Sequence, residues 1–262
     1  MQRTAPPGEP GSGVALGLLD RAASALPAAV EENRHGWRLR HTDSSMWWAG
    51  ATLAHGGPEN EPLDARVRAA EEFYATHGAP ARFQVCPECP PGLDTTLAAR
   101  GYRWASPMSL QVATTAQIAD QVSAPPLQVC LDDRPTAPWF EIWHAVHAAD
   151  ADPEPEWRLL RRIDRPSGYV TVLTGSQPVA VGRAVADNGW AGVFGMATLP
   201  HARGQGAATA VLAALARWAA DQHAGHMYLQ IEDVNAAAQR LYAAAGFAKT
   251  LTYHYRTAHS LD

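Results

Sequence analysis

The sequence predicts an α/β protein of the α+β kind, built from two similar halves. The chain has 262 residues, which is long for one hydrophobic core and favours two folded units. Hydrophobic residues make up 47% of the chain and charged residues 18%, which is typical of globular proteins. Short apolar strands also alternate with amphipathic helices, and this order occurs twice along the chain.

The first half predicts a flexible lead followed by a mixed domain. Residues 1–13 are rich in Pro and Gly, and we expect them to be poorly ordered before a helix at Val14–Glu32. Polar residues 114–126 end in Pro-Pro and predict a linker between domains at 14–113 and 127–262. The remaining predicted elements are strands at Trp37–His41, Met46–Leu53, Phe83–Val85 and Tyr102–Val112, with helices at Leu63–His77 and Leu93–Arg100.

The second half repeats this order of helices and strands with a different amino-acid sequence. THGAPARFQV before residue 86 parallels QHAGHMYLQI before residue 232, and Gly101-Tyr102 stands where Gly246-Phe247 stands. We therefore interpret the first half as a degenerate copy of the second. The second-half elements are a strand at Leu127–Leu131, helices at Ala137–Ala148 and Arg158–Arg165, and a hairpin formed by Tyr169–Thr174 and Pro178–Asp187.

The most informative stretch runs from Ala191 to Ala208. Apolar residues predict a strand that Pro200 ends, and helical spacing resumes after Gly206. A helix start offers unpaired N–H donors and the positive end of the helix dipole, so Arg203 at this place favours a bound anion. Glycine at 204 and 206 would let a diphosphate approach the main chain. The alternative is an ordinary turn with a surface arginine.

The sequence of this stretch resembles the acyl-CoA-binding motif of the GNAT superfamily of N-acetyltransferases. The pattern [RQ]-x-x-G-x-[GA] appears as Arg203-x-x-Gly206-x-Ala208, and Asn235 to Tyr242 followed by Gly246-Phe247 is similar to the family's last helix and its exit. The resemblance covers about 127–256. It implies two GNAT-like lobes, each with a mixed, mostly antiparallel sheet flanked by helices, and acetyl-CoA as co-substrate.

The resemblance also assigns residues to roles. It implies that main-chain groups of Met196, Ala197 and Thr198 contact pantetheine and polarise the thioester, and that Asn235 hydrogen-bonds pantetheine while capping its helix. Tyr242 would be the general acid that protonates the thiolate of CoA, whereas helical spacing alone predicts a packing residue at this position. The amides that would hold the pyrophosphate belong to Arg203, Gly204, Gln205, Gly206, Ala207 and Ala208.

Two parts of the reaction stay open at this point. The strand at 191–198 carries no acid, so Glu232 is our first candidate for the general base and Asp187 the second. The last helix has alanine where many relatives have a basic residue, and Arg240 and Lys249 are the nearest candidates for the 3′-phosphate. In the first half, Glu59 and Glu61 replace the arginine and glycines, so we expect no CoA there.

The acceptor is predicted to be a small-molecule primary amine. An acidic run precedes the helix at 158–165, in the loop that borders the acceptor cleft in the family, and it favours a cationic amine; the alternative is a solvated surface. The run consists of Asp150, Asp152, Glu154 and Glu156.

Composition excludes several other classes. A net charge of −5 argues against a nucleic-acid partner, and the absence of a long apolar run or signal core predicts a cytoplasmic protein without a membrane partner. Cys86 and Cys89 have metal-ligand spacing but lack a second ligand pair, so we expect no metal. A catalytically silent CoA-binding regulator is the alternative function, whereas a nucleotide-dependent oxidoreductase would need a glycine at Thr209. The oligomeric state is left open.

Overall fold

The computed structural model describes residues 12–57, 61–123 and 125–259. Most of the predicted flexible lead at 1–13 lies outside these residues. The described helices are α1 Ser12–Ser24, α2 Leu63–Thr76, α3 Leu93–Ala99, α4 Thr115–Gln121, α5 Ala137–His147, α6 Pro153–Arg161, α7 Ala207–Asp221 and α8 Ala236–Ala244. The strands are β1 Val30–Arg34, β2 Trp37–His41, β3 Thr52–Leu53, β4 Arg82–Val85, β5 Arg103–Thr114, β6 Gln128–Asp132, β7 Ser167–Thr174, β8 Gln177–Asp187, β9 Trp190–Thr198, β10 His226–Glu232 and β11 Ala248–Thr257.

All eleven strands form one sheet. Its order is β1-β2-β3-β4-β11-β5-β10-β9-β8-β7-β6. Adjacent strands are antiparallel except for β3 with β4 and β9 with β10, which are parallel. The predicted mixed and mostly antiparallel α+β architecture is confirmed.

The two halves exchange their last strands within this sheet. Strand β5, from the first half, pairs with β10 on one side and β11 on the other, so that Val112 faces Tyr228 and Ala248. Strand β11, from the second half, lies between β4 and β5. The sheet therefore runs without interruption from one half into the other, and the domain boundaries drawn from the sequence stay a prediction.

Helices cover both faces of the second-half strands. On one face, Val211 and Leu215 of α7 are fully buried against the apolar side chains of β7 and β8. On the other face, Trp139 of α5 is fully buried beside Val181 and donates its indole N–H to the carbonyl of Gly182 at 3.1 Å. Trp139 of α5 therefore belongs to the core.

Three predicted elements differ from the structure: two lie in the first half and one in the connection between the halves. The helix predicted at Val14–Glu32 ends at Ser24 because Pro27 follows, and the chain then forms β1. The strand predicted at Met46–Leu53 is a 3₁₀ turn at Trp47–Gly50 followed by the short β3. Residues 114–126, predicted as a linker, begin with α4 because Thr114 caps that helix and Ile118 is fully buried.

Among the described residues, no helix is long and apolar enough to cross a membrane.

Candidate active site

The main cavity opens where two parallel strands separate. Strands β9 and β10 pair from Trp190 and His226 up to Val193 and Leu229, after which β9 continues to Thr198 without pairing to β10. A cavity of about 1020 Å³ lies in this opening. Of the predicted site residues, those that line it are Met196, Ala197, Thr198, Arg203, Gly204, Gly206, Ala207, Ala208, Glu232, Asn235 and Tyr242.

A bulge reshapes β9 at the opening. Phe194 pairs with Arg183 and Ala197 with Val181, so β9 holds one residue more than β8 in this interval. Gly195 has a φ of +60°, which favours glycine, and a Cβ there would lie 3.2 Å from the Trp143 ring. The bulge places Gly195 and Met196 against the cavity.

The loop before α7 presents a run of main-chain donors. Among the described residues, none of the amides from Gly204 to Thr209 donates a hydrogen bond, whereas the amide of Ala210 donates to the carbonyl of Gly206 at 2.9 Å. Gly206 caps the helix in the left-handed conformation and supplies no side chain. The cradle predicted from the sequence therefore has the donors and the helix dipole that an anion needs.

The two glycines of this loop play different structural roles. A Cβ at Gly204 would meet nothing within 4 Å, so this position is open toward the cavity. A Cβ at Gly206 would lie 2.7 Å from Pro125, so this glycine is also required by packing. Arg203 donates from Nε to the carbonyl of Thr198 at 3.3 Å. The side-chain amide of Gln205 donates to the carbonyl of His201 at 2.9 Å and does not line the cavity, so Gln205 can contribute only its main-chain N–H to the cradle.

Helix α8 brings Asn235 and Tyr242 to the cavity. Asn235 Oδ1 accepts from the amide of Ala238 at 3.1 Å, so the predicted helix cap is present and the side-chain NH₂ is still available. Tyr242 is 6% exposed and packs edge-on against Phe247. Its hydroxyl has no hydrogen-bond partner among the described residues. Burial raises the pKa of Tyr242 above its ordinary value of 10.0, so the phenol keeps its proton.

The two candidate bases lie in different places. Glu232, at the end of β10, is exposed and lines the cavity. Asp187 does not line it and instead pairs with Arg21 at 2.6 Å and Arg165 at 2.8 Å. Asp187 is therefore a structural anion, and the second candidate for the base was wrong.

The acidic run does not border the cavity, in contrast to the expectation: Asp150 and Asp152 precede α6, whereas Glu154 and Glu156 lie in its first turn. Glu156 is 1% exposed and accepts from the Ser44 hydroxyl at 2.5 Å and the Ser45 amide at 2.6 Å. Asp152 caps α6, and Glu154 lies near Arg158 on the same helix. Asp152 and Glu156 therefore stabilise the local structure, because they accept hydrogen bonds from the protein's own donors.

Sequence reasoning missed His147. It ends α5, lines the cavity and donates from Nε2 to the carbonyl of Met196 at 3.2 Å, so it anchors the bulge. One side of its ring packs against Trp143, and this desolvation lowers the pKa of His147. A histidine in the last turn of an apolar helix gave no specific signal.

The first half and the exchanged strand form the opposite wall of the cavity. This wall is rich in aromatic rings. It consists of Leu26, Met46, Trp47, Trp48, Ser106, Met108, Tyr253 and Tyr255. Side chains of the first half therefore line the same cavity as the anion cradle.

In the first half, the described residues before α2 show no matching cradle. Glu61, before α2, pairs with His35 at 2.7 Å, whereas Glu59 lies outside the described residues. Arg66 donates to the carbonyl of Gly56 and lies over the Trp37 ring at 4.4 Å. The described residues on either side of this loop are therefore paired with other groups of the protein.

Comparison with known proteins agrees with this geometry. The model of the acetyltransferase (GNAT) family matches residues 132–247, which include the separated strands, the cradle and α8. Residues 132–247 therefore form a GNAT domain.

Relatives extend the likeness to both halves. An uncharacterized N-acetyltransferase of Bacillus subtilis, YobR, is 24% identical over 90% of this chain and 95% of its own length. A GCN5-related N-acetyltransferase from Kribbella flavida has a TM-score of 0.67 at 18% identity, covering 94% of this chain and 95% of that chain. A tandem GNAT protein from the clavulanic acid biosynthesis pathway has a TM-score of 0.65 at 15% identity, covering 99% and 91%. These structures share the fold.

This GNAT domain supports acyl-CoA-dependent N-acetyltransferase chemistry in general terms, and the family generally uses acetyl-CoA. Neither Arg240 nor Lys249, the candidates for the 3′-phosphate of CoA, lines the cavity, and Lys249 pairs with Asp233 at 3.2 Å.

The Cys86 and Cys89 sulfurs, which have metal-ligand spacing in the sequence, lie 3.5 Å apart. No group of three or more His, Cys, Asp or Glu side chains that could hold a metal occurs within the described ranges.

Proposed function

We propose that this GNAT protein transfers the acetyl group of acetyl-CoA to a primary amine of a small molecule. The observation that carries the proposal is a single cavity that joins unpaired helix-start amides to Tyr242 and Glu232. The amides would hold the diphosphate of CoA. Tyr242 would serve as the acid and Glu232 as the base.

The cradle and the strand opening would hold the co-substrate. The amides from Gly204 to Thr209 suit the pyrophosphate oxygens, and Arg203 adds a positive charge beside them. The unpaired stretch of β9 beyond Val193 exposes main-chain groups for the pantetheine amides. A main-chain N–H near Met196 would polarise the thioester carbonyl, with His147 fixing that peptide.

The chemistry then requires two proton transfers. The amine nitrogen attacks the thioester carbon, and Glu232, directly or through water, takes a proton from the amine. The carbon–sulfur bond breaks, and Tyr242 gives its proton to the departing thiolate. The products are an N-acetyl amide and CoA with a free thiol.

Release of free thiol tests the proposal. The purified protein is incubated with acetyl-CoA and a panel of primary amines, and thiol release is followed together with the mass of the acetylated amine. Amine-dependent thiol release supports the enzyme. Binding of acetyl-CoA without turnover of any amine would favour a silent CoA-binding regulator. No binding at all would contradict both.

A further inference from the structure

Arg183 is a buried cation at the wall of the cavity. It lies on β8 opposite Phe194, at the point where β9 bulges, and it is 2% exposed. Its guanidinium carbon lies 4.7 Å from the centre of the Phe194 ring. A charged side chain at this depth destabilises the fold unless other groups compensate its charge.

The protein provides little compensation. Among the described residues, Arg183 makes one side-chain hydrogen bond, from Nη1 to the carbonyl of Ala25 at 3.2 Å, and no carboxylate lies within 4.0 Å of it. Arg40 is a useful contrast because it is 3% exposed. Arg40 pairs with Glu31 at 3.2 Å and also donates to the carbonyls of Ala23 and Leu26. Most donors of Arg183 are therefore left for a ligand in the cavity.

The surroundings of Arg183 describe the rest of that ligand. The facing wall holds Trp47, Trp48 and Tyr255, and the buried hydroxyl of Tyr253 has no partner among the described residues. These groups suit an apolar or aromatic body with a polar end. Of the carboxylates in the described ranges, Glu232 is the one that lines the cavity.

We propose that the acceptor amine carries a carboxylate, which Arg183 binds, and an apolar or aromatic body that packs against the tryptophans. The acceptor is then an amino acid or a close relative of one. This inference rests on the proposed acetyl transfer. A planar guanidinium matches a carboxylate by two parallel hydrogen bonds, and in a dry pocket such a pair is strong.

Binding of matched ligands tests this inference apart from catalysis. Titration calorimetry on the CoA-saturated protein compares carboxylates with their isosteric amides: 3-phenylpropionate with its amide, indole-3-propionate with its amide, and hexanoate with its amide. At least one carboxylate should bind ten times or more tighter than its amide. Arg183→Met should abolish the difference, and Arg183→Lys should keep part of it.

Transfer assays complete the test. Phenylalanine and tryptophan should show kcat/KM at least tenfold above phenethylamine and tryptamine, and the ratio should fall toward one in Arg183→Met. If Arg183→Met does not fold, the kcat/KM ratios of the wild type and of Arg183→Lys decide the test. Equal affinity of acids and amides, or no binding of any carboxylate, would overturn the inference. If the wild-type protein does not bind acetyl-CoA, the proposed function itself is overturned.

Discussion

Val193 and Leu229 are the last paired residues of β9 and β10, and the strands separate immediately beyond them. The cavity occupies this separation, with the cradle of α7 at one side and α8 at another. Because the unpaired edge of β9 is directed to the cavity, one local feature of the sheet brings the anion site and the candidate catalytic residues together.

We predict that Tyr242→Phe lowers kcat by about 10²- to 10⁴-fold while acetyl-CoA affinity changes little, because only the proton donor is removed. Burial raises the pKa of Tyr242, so the wild-type kcat should show no loss from tyrosine ionisation below about pH 10. Stopped-flow rates of the chemical step provide the measurement. Tyr102→Phe, in the first half, is the control. An unchanged chemical step would make Tyr242 a packing residue.

We predict that Glu232→Gln lowers kcat by about 10²-fold or more at neutral pH, because the amide cannot accept a proton from the amine. The adjacent Asp233→Asn, which removes the ion pair with Lys249, is the matched control and should keep nearly full activity. Steady-state rates across pH measure both. Equal effects of the two substitutions would exclude Glu232 as the base.

We predict that Glu156→Ala lowers the free energy of unfolding by about 2–3 kcal/mol, because the buried Ser44 hydroxyl and Ser45 amide lose their acceptor. Glu154→Ala should change it by less than about 0.5 kcal/mol, since that carboxylate is exposed. Urea unfolding of both variants is the measurement. A similar small effect of both would show that the acidic run is only a solvated surface.

We predict that Asp94 stabilises the exchanged strand in a pH-dependent way. Its carboxylate accepts from Arg256 at 2.7 Å and from His254 at 2.7 Å, and the hydrogen bond from Arg256 lowers the pKa of Asp94 to about 2. Because the folded pKa lies below the unfolded value, the stabilisation is present above about pH 4 and is lost as the pH falls toward 2.

The size of this effect is modest because Asp94 is partly exposed. After allowance for solvent screening, Asp94→Asn should cost about 1 kcal/mol at pH 7 and almost nothing near pH 2. Unfolding at both pH values measures it, with the exposed Asp120→Asn as control. A cost that does not depend on pH would assign the effect to packing.

Much of the site could be predicted from the sequence because it is local. The strand that ends at Thr198, the turn with Arg203 and the helix after Gly206 follow from apolar spacing, proline and glycine. Asn235 likewise caps its helix by a rule that acts within three residues. Such features depend on residues that are close together in the chain, so the local sequence predicts them.

The strand exchange could not be predicted in this way. Strands β5 and β11 have similar patterns and both follow a glycine, so alternation alone does not show which sheet each one enters. Glu156 looked like a surface charge because its partners lie more than a hundred residues away. Arg183 did leave a signal, since it is a single charge within the apolar strand that runs from Pro178 to Ala186.

The measurement that tests the central claim most directly is the titration of acetyl-CoA into the protein by calorimetry. We predict one site per chain, located at the cradle before α7. Gly204→Asp should weaken binding at least tenfold, about 1.4 kcal/mol, relative to Gly204→Asn, because both side chains tolerate the left-handed backbone and only Asp repels the diphosphate. Two equivalent sites, no binding, or equal affinity of the two variants would contradict the account.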